Sequence, residues 1–305
     1  MEVLKKKYGR YWQLYLFLLL PAAYIIIFAY IPMLGVQIAF KKYTFLGGIW
    51  GSPFVGFTNF IKFFNSYNFS RVITNTLRIS VYEIFAGFPI PIIFALCLNT
   101  INHRQYKKAI QTITYMPHFI SVLVIVGMLM QIFHPMTGIY GVFIKTITGK
   151  DAVDLFGRPE AFPHLYVWSS IWQQFGWSSI IYVATLTSVP EELYEAAKVD
   201  GASRFKMILH VDIPALSPTI VILLILRLGA VMSIGFEKAF LMQNSLNLRT
   251  SELISTFVYK QGLAAGGPTD FSYAAAIGLF NSVVNLILIV MVNNISRKLS
   301  DTSLW

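Results

Sequence analysis

Apolar positions gather into six long runs, at about residues 13–34, 76–98, 112–133, 165–186, 218–240 and 272–292, separated by shorter polar stretches. A helix rising ~1.5 Å per residue needs about 20 apolar residues to cross the hydrocarbon of a bilayer, and each run is of that length. The pattern therefore predicts an all-α integral membrane protein of six transmembrane helices. An even number of crossings places both termini on one side.

Composition supports lipid as the main solvent. Hydrophobic residues make up 56% of the 305 and charged residues 12%, about half the charge of an average soluble domain. The net charge of +10 does not point to nucleic acid, because the basic residues lie between apolar runs and not along one soluble face. Lys5, Lys6, Lys7 and Arg10 precede the first run, and Arg104, Lys107 and Lys108 fall in the second polar gap. By the positive-inside rule these dense clusters place both termini in the cytoplasm. The stretch from Trp12 to Val36 is longer than a signal-peptide core and lacks a small-residue cleavage site after it, so it reads as an uncleaved first helix. The single cysteine, Cys97, excludes an intrachain disulfide and reads as a packing residue.

The chain divides into a cytoplasmic N-terminus with the first helix (1–40), an outside loop rich in aromatic rings (41–74), a helical core (75–295) and a cytoplasmic tail (296–305). In the outside loop, rings such as Phe45, Trp50, Phe54 and Phe57 suit the headgroup layer better than a ligand site. Residues 59–65 read as a short helix capped by Thr58. Gly262, Gly266, Gly267 and Pro268 mark turns before the last run.

The stretch 188–214, between the fourth and fifth runs, reads as two short helices. Ser188, Pro190 and Glu191 make a start signal. Gly201 supplies a left-handed end after Asp200. Ser203 caps the second helix, which Pro214 terminates. On these grounds alone the segment is equally an ordinary amphipathic loop.

The residues Glu195, Ala196, Ala197, Lys198, Val199, Asp200, Gly201 and Ala202, continued by Phe205, Ile208 and Asp212-Ile213-Pro214, resemble the EAA loop of binding-protein-dependent ABC permeases. Asn75-Thr76, Asn99, Tyr115-Met116-Pro117-His118 and Ser188-Val189-Pro190 continue the likeness, which covers about residue 76 to the C-terminus. The sequence is most similar to maltose-type sugar permeases of a complex-oligosaccharide branch. The resemblance implies an ABC importer permease fold with a cytoplasmic EAA coupling loop, in a bacterial cytoplasmic (inner) membrane. It implies a second permease subunit of different sequence, an ATPase dimer, an external substrate-binding protein and an oligosaccharide cargo. It also places Glu195, Ala196, Ala197, Asp200, Gly201 and Phe205 at the ATPase contact. No cofactor is expected in this chain, the ATP and Mg belonging to the ATPase. The residues agree, since Gly149-Lys150 is followed by Asp151 and lacks the leading glycine of a phosphate loop.

Charges inside apolar runs default to the bundle interior or a watery cavity. Arg78 and Glu83 lie in the second run, Arg227 in the fifth, and Glu237 with Lys238 near its end. The fourth run is wet: Trp172, Gln173, Gln174, Trp177 and several serines interrupt it. Rings and amides of this kind suit a saccharide path, and Trp172, Gln173, Gln174, Glu237, Asn281 and Asn285 are its candidates. Hydrogen bonding between helices is the competing use of the same residues. The five histidines lack metal-ligand spacing, and no catalytic set appears. A membrane scaffold or assembly subunit is the alternative to a permease, but it leaves the long EAA likeness unexplained.

Overall fold

The computed structural model describes residues 11–264 and 269–299. The Lys5–Arg10 cluster, Gly266, Gly267, Pro268 and the tail from residue 300 lie outside them. In chain order the principal helices are α1 (Trp12–Phe40), α2 (Thr58–Phe64), α3 (Tyr67–Asn99), α4 (Arg104–Phe119), α5 (Val122–Ile132), α6 (Ile139–Thr148), α7 (Phe162–Thr187), α8 (Glu191–Val199), α9 (Arg204–Gly229), α10 (Phe236–Met242), α11 (Ile254–Gly262) and α12 (Phe271–Leu299). Among the described residues the pairing of extended backbone is limited to an isolated bridge between Lys41 and Phe54.

By length and apolarity α1, α3, α9 and α12 can each cross a membrane, and α4 with α5 forms a fifth candidate bent by 97°. The helix α7 is 26 residues long, but its serines, glutamines and tryptophans keep apolarity alone from marking it as a span.

Three expectations need correction. The third run is not one straight helix. Pro117, without an amide N–H, lies in the turn Met116–Phe119, Ile120 is extended, and Ser121 Oγ caps α5 by accepting from Val124 N at 3.4 Å. The fifth run also breaks. The helix α9 ends at Gly229, where an added Cβ would meet Ile289 Cβ at 2.8 Å, and Asn285 Oδ1 accepts from Met232 N in the linker before α10. Finally, Pro214 does not stop the second short helix. The turn Ile208–Asp212 widens to a π-helix and the chain runs on into α9, because a π turn leaves room for a proline ring.

Smaller signals differ as well. Thr58 Oγ1 donates to Val55 O and does not cap α2. Ser188 closes α7, its Oγ donating to Thr185 O, and α8 begins after Pro190. Cys97 is exposed and not packed.

The chain forms two compact units that part at residues 66/67, 257/258 and 280/281. In the first unit, Phe63 is fully buried against the rings of Tyr273 and Phe280, and Lys62 pairs with Asp270 at 2.8 Å. Asn59 Nδ2 donates to Ala39 O and Lys41 O, closing the aromatic loop on itself. Phe45, Trp50, Phe54 and Phe57 stay exposed.

The second unit is built around α7. One cluster packs Ile79 of α3 and Val126 of α5 against Phe162, Val167 and Ile171 of α7. A second joins Ala95, Tyr182, Leu186 and Leu216 of α3, α7 and α9. At the start of α3, Asn75 Nδ2 donates to Arg249 O and Glu252 O while Arg71 pairs with Glu252, pinning the segment before α11. Helices α7 and α4 come close at Gly176, where a Cβ would meet Thr114 O at 2.1 Å. Glycine there lets α7 lie directly on α4.

Candidate functional sites

The first site is the turn joining α8 to α9. Gly201 has φ +73°, a left-handed conformation that β-carbons oppose. Ala202 N donates to Ala197 O at 2.9 Å and Gly201 N to Lys198 O at 3.0 Å. This pair of bonds satisfies the last carbonyls of α8 as a Schellman end. Ser203 Oγ then accepts from Lys206 N at 3.4 Å and opens α9. Helix α8 buries none of its residues. Glu195, Ala196, Asp200, Gly201 and Phe205 are exposed and Ala197 is half-buried, so the residues singled out in the sequence share one accessible turn. Leu193, Val199 and Phe205 also present apolar side chains there.

Behind this turn, Tyr194 Oη donates to Asp212 Oδ1 at 2.5 Å, and Asn99 Nδ2 donates to both, at 3.2 Å each. Burial, and then the bond to Asp212, push the Tyr194 hydroxyl up to about 12. It is therefore a neutral donor throughout the physiological range.

The second site is a cavity of about 620 Å³ between α3, α7 and α9. Glu83, Ser170, Gln174, Trp177, Ser178 and Arg227 line its polar side. Arg227 Nη2 donates to Glu83 Oε1 at 2.6 Å. The imidazole of His118 stacks on Trp177 with ring centres 4.3 Å apart and planes 1° off parallel. Its Nδ1 lies 2.9 Å from Gln174 Oε1. Helix α4 thereby fixes the orientation of two α7 side chains at the cavity wall.

The other path candidates are dispersed. Trp172 faces a separate groove of about 370 Å³ with Trp168, Phe133 and His164. Gln173 is buried and donates to Ile120 O at 3.0 Å. Glu237 is exposed in the first turn of α10. Asn285 accepts from Met232 N and donates to Ser233 Oγ at 2.8 Å. Asn281 Oδ1 is buried without a hydrogen-bond partner among the described residues.

Residues 87–301 match the family model of the binding-protein-dependent transport system inner membrane component. The chain belongs to that family. It is 40% identical over 292 residues to protein LplB of Bacillus subtilis (strain 168), covering 96% of this chain and 91% of that one. It is 36% identical over 304 residues to the polygalacturonan/rhamnogalacturonan transport system permease protein YteP of the same organism, covering 100% and 92%. A solved structure of a bacterial alginate ABC transporter, in complex with alginate pentasaccharide-bound periplasmic protein, contains a chain that superposes with a TM-score of 0.88 at 38% identity. That superposition covers 98% of this chain and 99% of the other.

Three features of this inner membrane component were not drawn from its sequence. The Glu83–Arg227 pair joins two charges noticed singly; its partners lie 144 positions apart. The His118–Trp177 stack unites a histidine at a helix entrance with a tryptophan of the wet helix. Lys238 is buried, its Nζ donating to Ser170 Oγ at 2.8 Å and to Tyr166 O at 3.3 Å. A lysine beside a glutamate in sequence gave no sign of that burial.

Proposed function

We propose that this protein is one permease subunit of an ATP-driven sugar importer. It takes oligosaccharides from an external binding protein, lines half of their path, and couples that path to a separate ATPase. The exposed α8–α9 turn carries the reading: its apolar residues stand on a helix that buries nothing of its own, as a docking surface for another protein requires. In this reading Glu195, Ala196, Ala197, Asp200, Gly201 and Phe205 meet one subunit of an ATPase dimer, which holds the ATP and Mg. The relatives support a saccharide cargo, because the names of YteP and of the alginate transporter refer to polygalacturonan, rhamnogalacturonan and alginate.

The polar cavity supports the same reading over a scaffold role. A scaffold has no use for amides, hydroxyls and an ion pair around an apolar-floored cavity within its helices, whereas a saccharide needs both. Gln174, with Trp177, is the residue of the original candidates best placed for cargo; Trp172 serves a second surface on the opposite side of α7. The six-helix topology has N- and C-termini in the cytoplasm, α7 being the polar fourth crossing and the bent α4–α5 pair the third. A second permease subunit of different sequence supplies the other half of the path.

Reconstitution tests the proposal. Vesicles containing this chain, its second permease subunit and the ATPase should accumulate oligosaccharide only when the binding protein and ATP are both supplied. Assembly without any dependence of hydrolysis on loaded binding protein would favour the scaffold.

A further inference from the structure

The covalent route from α8 to the membrane-crossing part of α9 passes through two departures from regular α-helix. One is the left-handed turn at Gly201, and the other is the π turn Ile208–Asp212. The backbone therefore does not make α8 and the membrane-crossing part of α9 one straight rod. Helix α8 has no buried residue to grip the bundle. Among the described residues, Tyr194 is the one α8 side chain with a hydrogen bond beyond its own helix.

That bond ends on Asp212, which is 2% exposed. Asp212 Oδ1 accepts from Tyr194 Oη at 2.5 Å and from Asn99 Nδ2 at 3.2 Å, and Asn99 Nδ2 also reaches Tyr194 Oη at 3.2 Å. Asp212 has no ion pair among the described residues, so its carboxylate relies on these two donors. Hydrogen bonds to a charged acceptor are the strong kind, and leaving a buried charge without its donor is costly. A displacement of α8 alone would strand that carboxylate. Displacing α8 together with the end of α3 and the start of α9 would not.

We infer that Tyr194 is a positioning residue for transport, locking the coupling helix through Asp212 and Asn99 to α3 and α9, so that movement of α8 passes directly to both. The node spans the left-handed turn at Gly201 and lands on the last residue of the π turn, next to the straight part of α9. The inference rests on the proposal that a partner ATPase moves α8.

The test uses the full importer in vesicles, with Tyr194→Phe as the principal variant. The ring and the exposed surface of α8 stay in place, so ATPase capture in detergent and the basal hydrolysis rate should match wild type. Sugar moved per ATP hydrolysed should fall about ten-fold, the size of one lost hydrogen bond to a charge. Asp212→Asn keeps an acceptor at Oδ1 and should retain most of the coupling; Asp212→Ala should behave as Tyr194→Phe does. The double variant should be no worse than either single one. If Asp212→Ala fails to assemble, the Tyr194→Phe and Asp212→Asn pair still decides.

A second readout needs no cargo. With Cys97 replaced by serine, spin labels at Glu192 and Leu226 should report one narrow distance with and without nucleotide in wild type, and a broadened one in Tyr194→Phe. Normal sugar per ATP in Tyr194→Phe, or a wild-type distance that changes with nucleotide, overturns the inference. Failure of wild type to couple hydrolysis to loaded binding protein would instead overturn the proposed function.

Discussion

Arg227 of α9 meets Glu83 of α3 at 2.6 Å on the wall of the polar cavity. Both groups would be expensive in lipid alone, and together they let a polar wall persist inside an apolar bundle. Arg227→Met should leave Glu83 without its cation. Glu83, whose side chain is only 22% exposed, would be left unpaired between helices, so the melting temperature should fall. If the cavity lies on the proposed sugar path, uptake should fall much further. Exchanging the two residues, as Glu83→Arg with Arg227→Glu, should recover assembly; thermal melting in detergent beside vesicle uptake separates the two effects.

Gly176 tests the packing that holds the cavity together. A methyl group there would meet Thr114 O at 2.1 Å. Gly176→Ala must force α7 away from α4, at about 1–3 kcal/mol for overpacking. It should lower the melting temperature and the yield of the complex, and disturb the neighbouring His118–Trp177 stack. Unchanged melting would show that the two helices are not in contact.

At Gly201, φ is +73° and an added Cβ meets nothing within 4 Å. The penalty for Gly201→Val is therefore one of backbone conformation, about 1–2 kcal/mol, and not of collision. Membrane insertion should be normal and ATPase capture weakened, with Glu195→Ala milder in the same direction. Pull-down of the ATPase checks both variants.

Burial raises the Tyr194 hydroxyl to about 12 from its ordinary value of 10.0. A raised value means that the contribution to stability is complete below the unfolded value and is lost as pH rises through the folded one. The node should hold from pH 6 to 9 and begin to fail only above about 10. A difference titration of tyrosinate absorbance, wild type minus Tyr194→Phe, should show the missing group ionising near 12. Ionisation near 10 would contradict its burial.

Much of this architecture was legible in the chain. Long apolar runs marked α1, α3 and α12, and Gly201 and Ser203 announced the turn before α9 in local terms that depend only on neighbouring residues. The sequence was a poorer guide where helices bend. Pro117 permits the 97° corner between α4 and α5, but proline also occurs inside α9, where a π turn accommodates it. The wet stretch of α7 shows the second limit. Trp172, Gln173 and Gln174 are consecutive, and at about 100° per residue they point to a groove, a buried carbonyl and the cavity respectively. Composition says that such a helix is polar; only packing says which side faces what. Pairings such as Glu83 with Arg227, or Tyr194 with Asp212 and Asn99, depend on elements distant in sequence and had no local signature.

In the proposed function this chain lines half of a sugar path driven by ATP hydrolysed on a partner subunit. The most direct measurement is uptake into vesicles bearing the full importer, with ATP on the ATPase side and binding protein on the other. The cargo panel is labelled oligosaccharides from polygalacturonan, rhamnogalacturonan and alginate. Our expectation is that at least one accumulates against its gradient, that accumulation needs both ATP and binding protein, and that Gly201→Val lowers it while the protein stays in the membrane. Accumulation that persists without ATP, or hydrolysis that proceeds at full rate with Gly201→Val and still drives uptake, would contradict it.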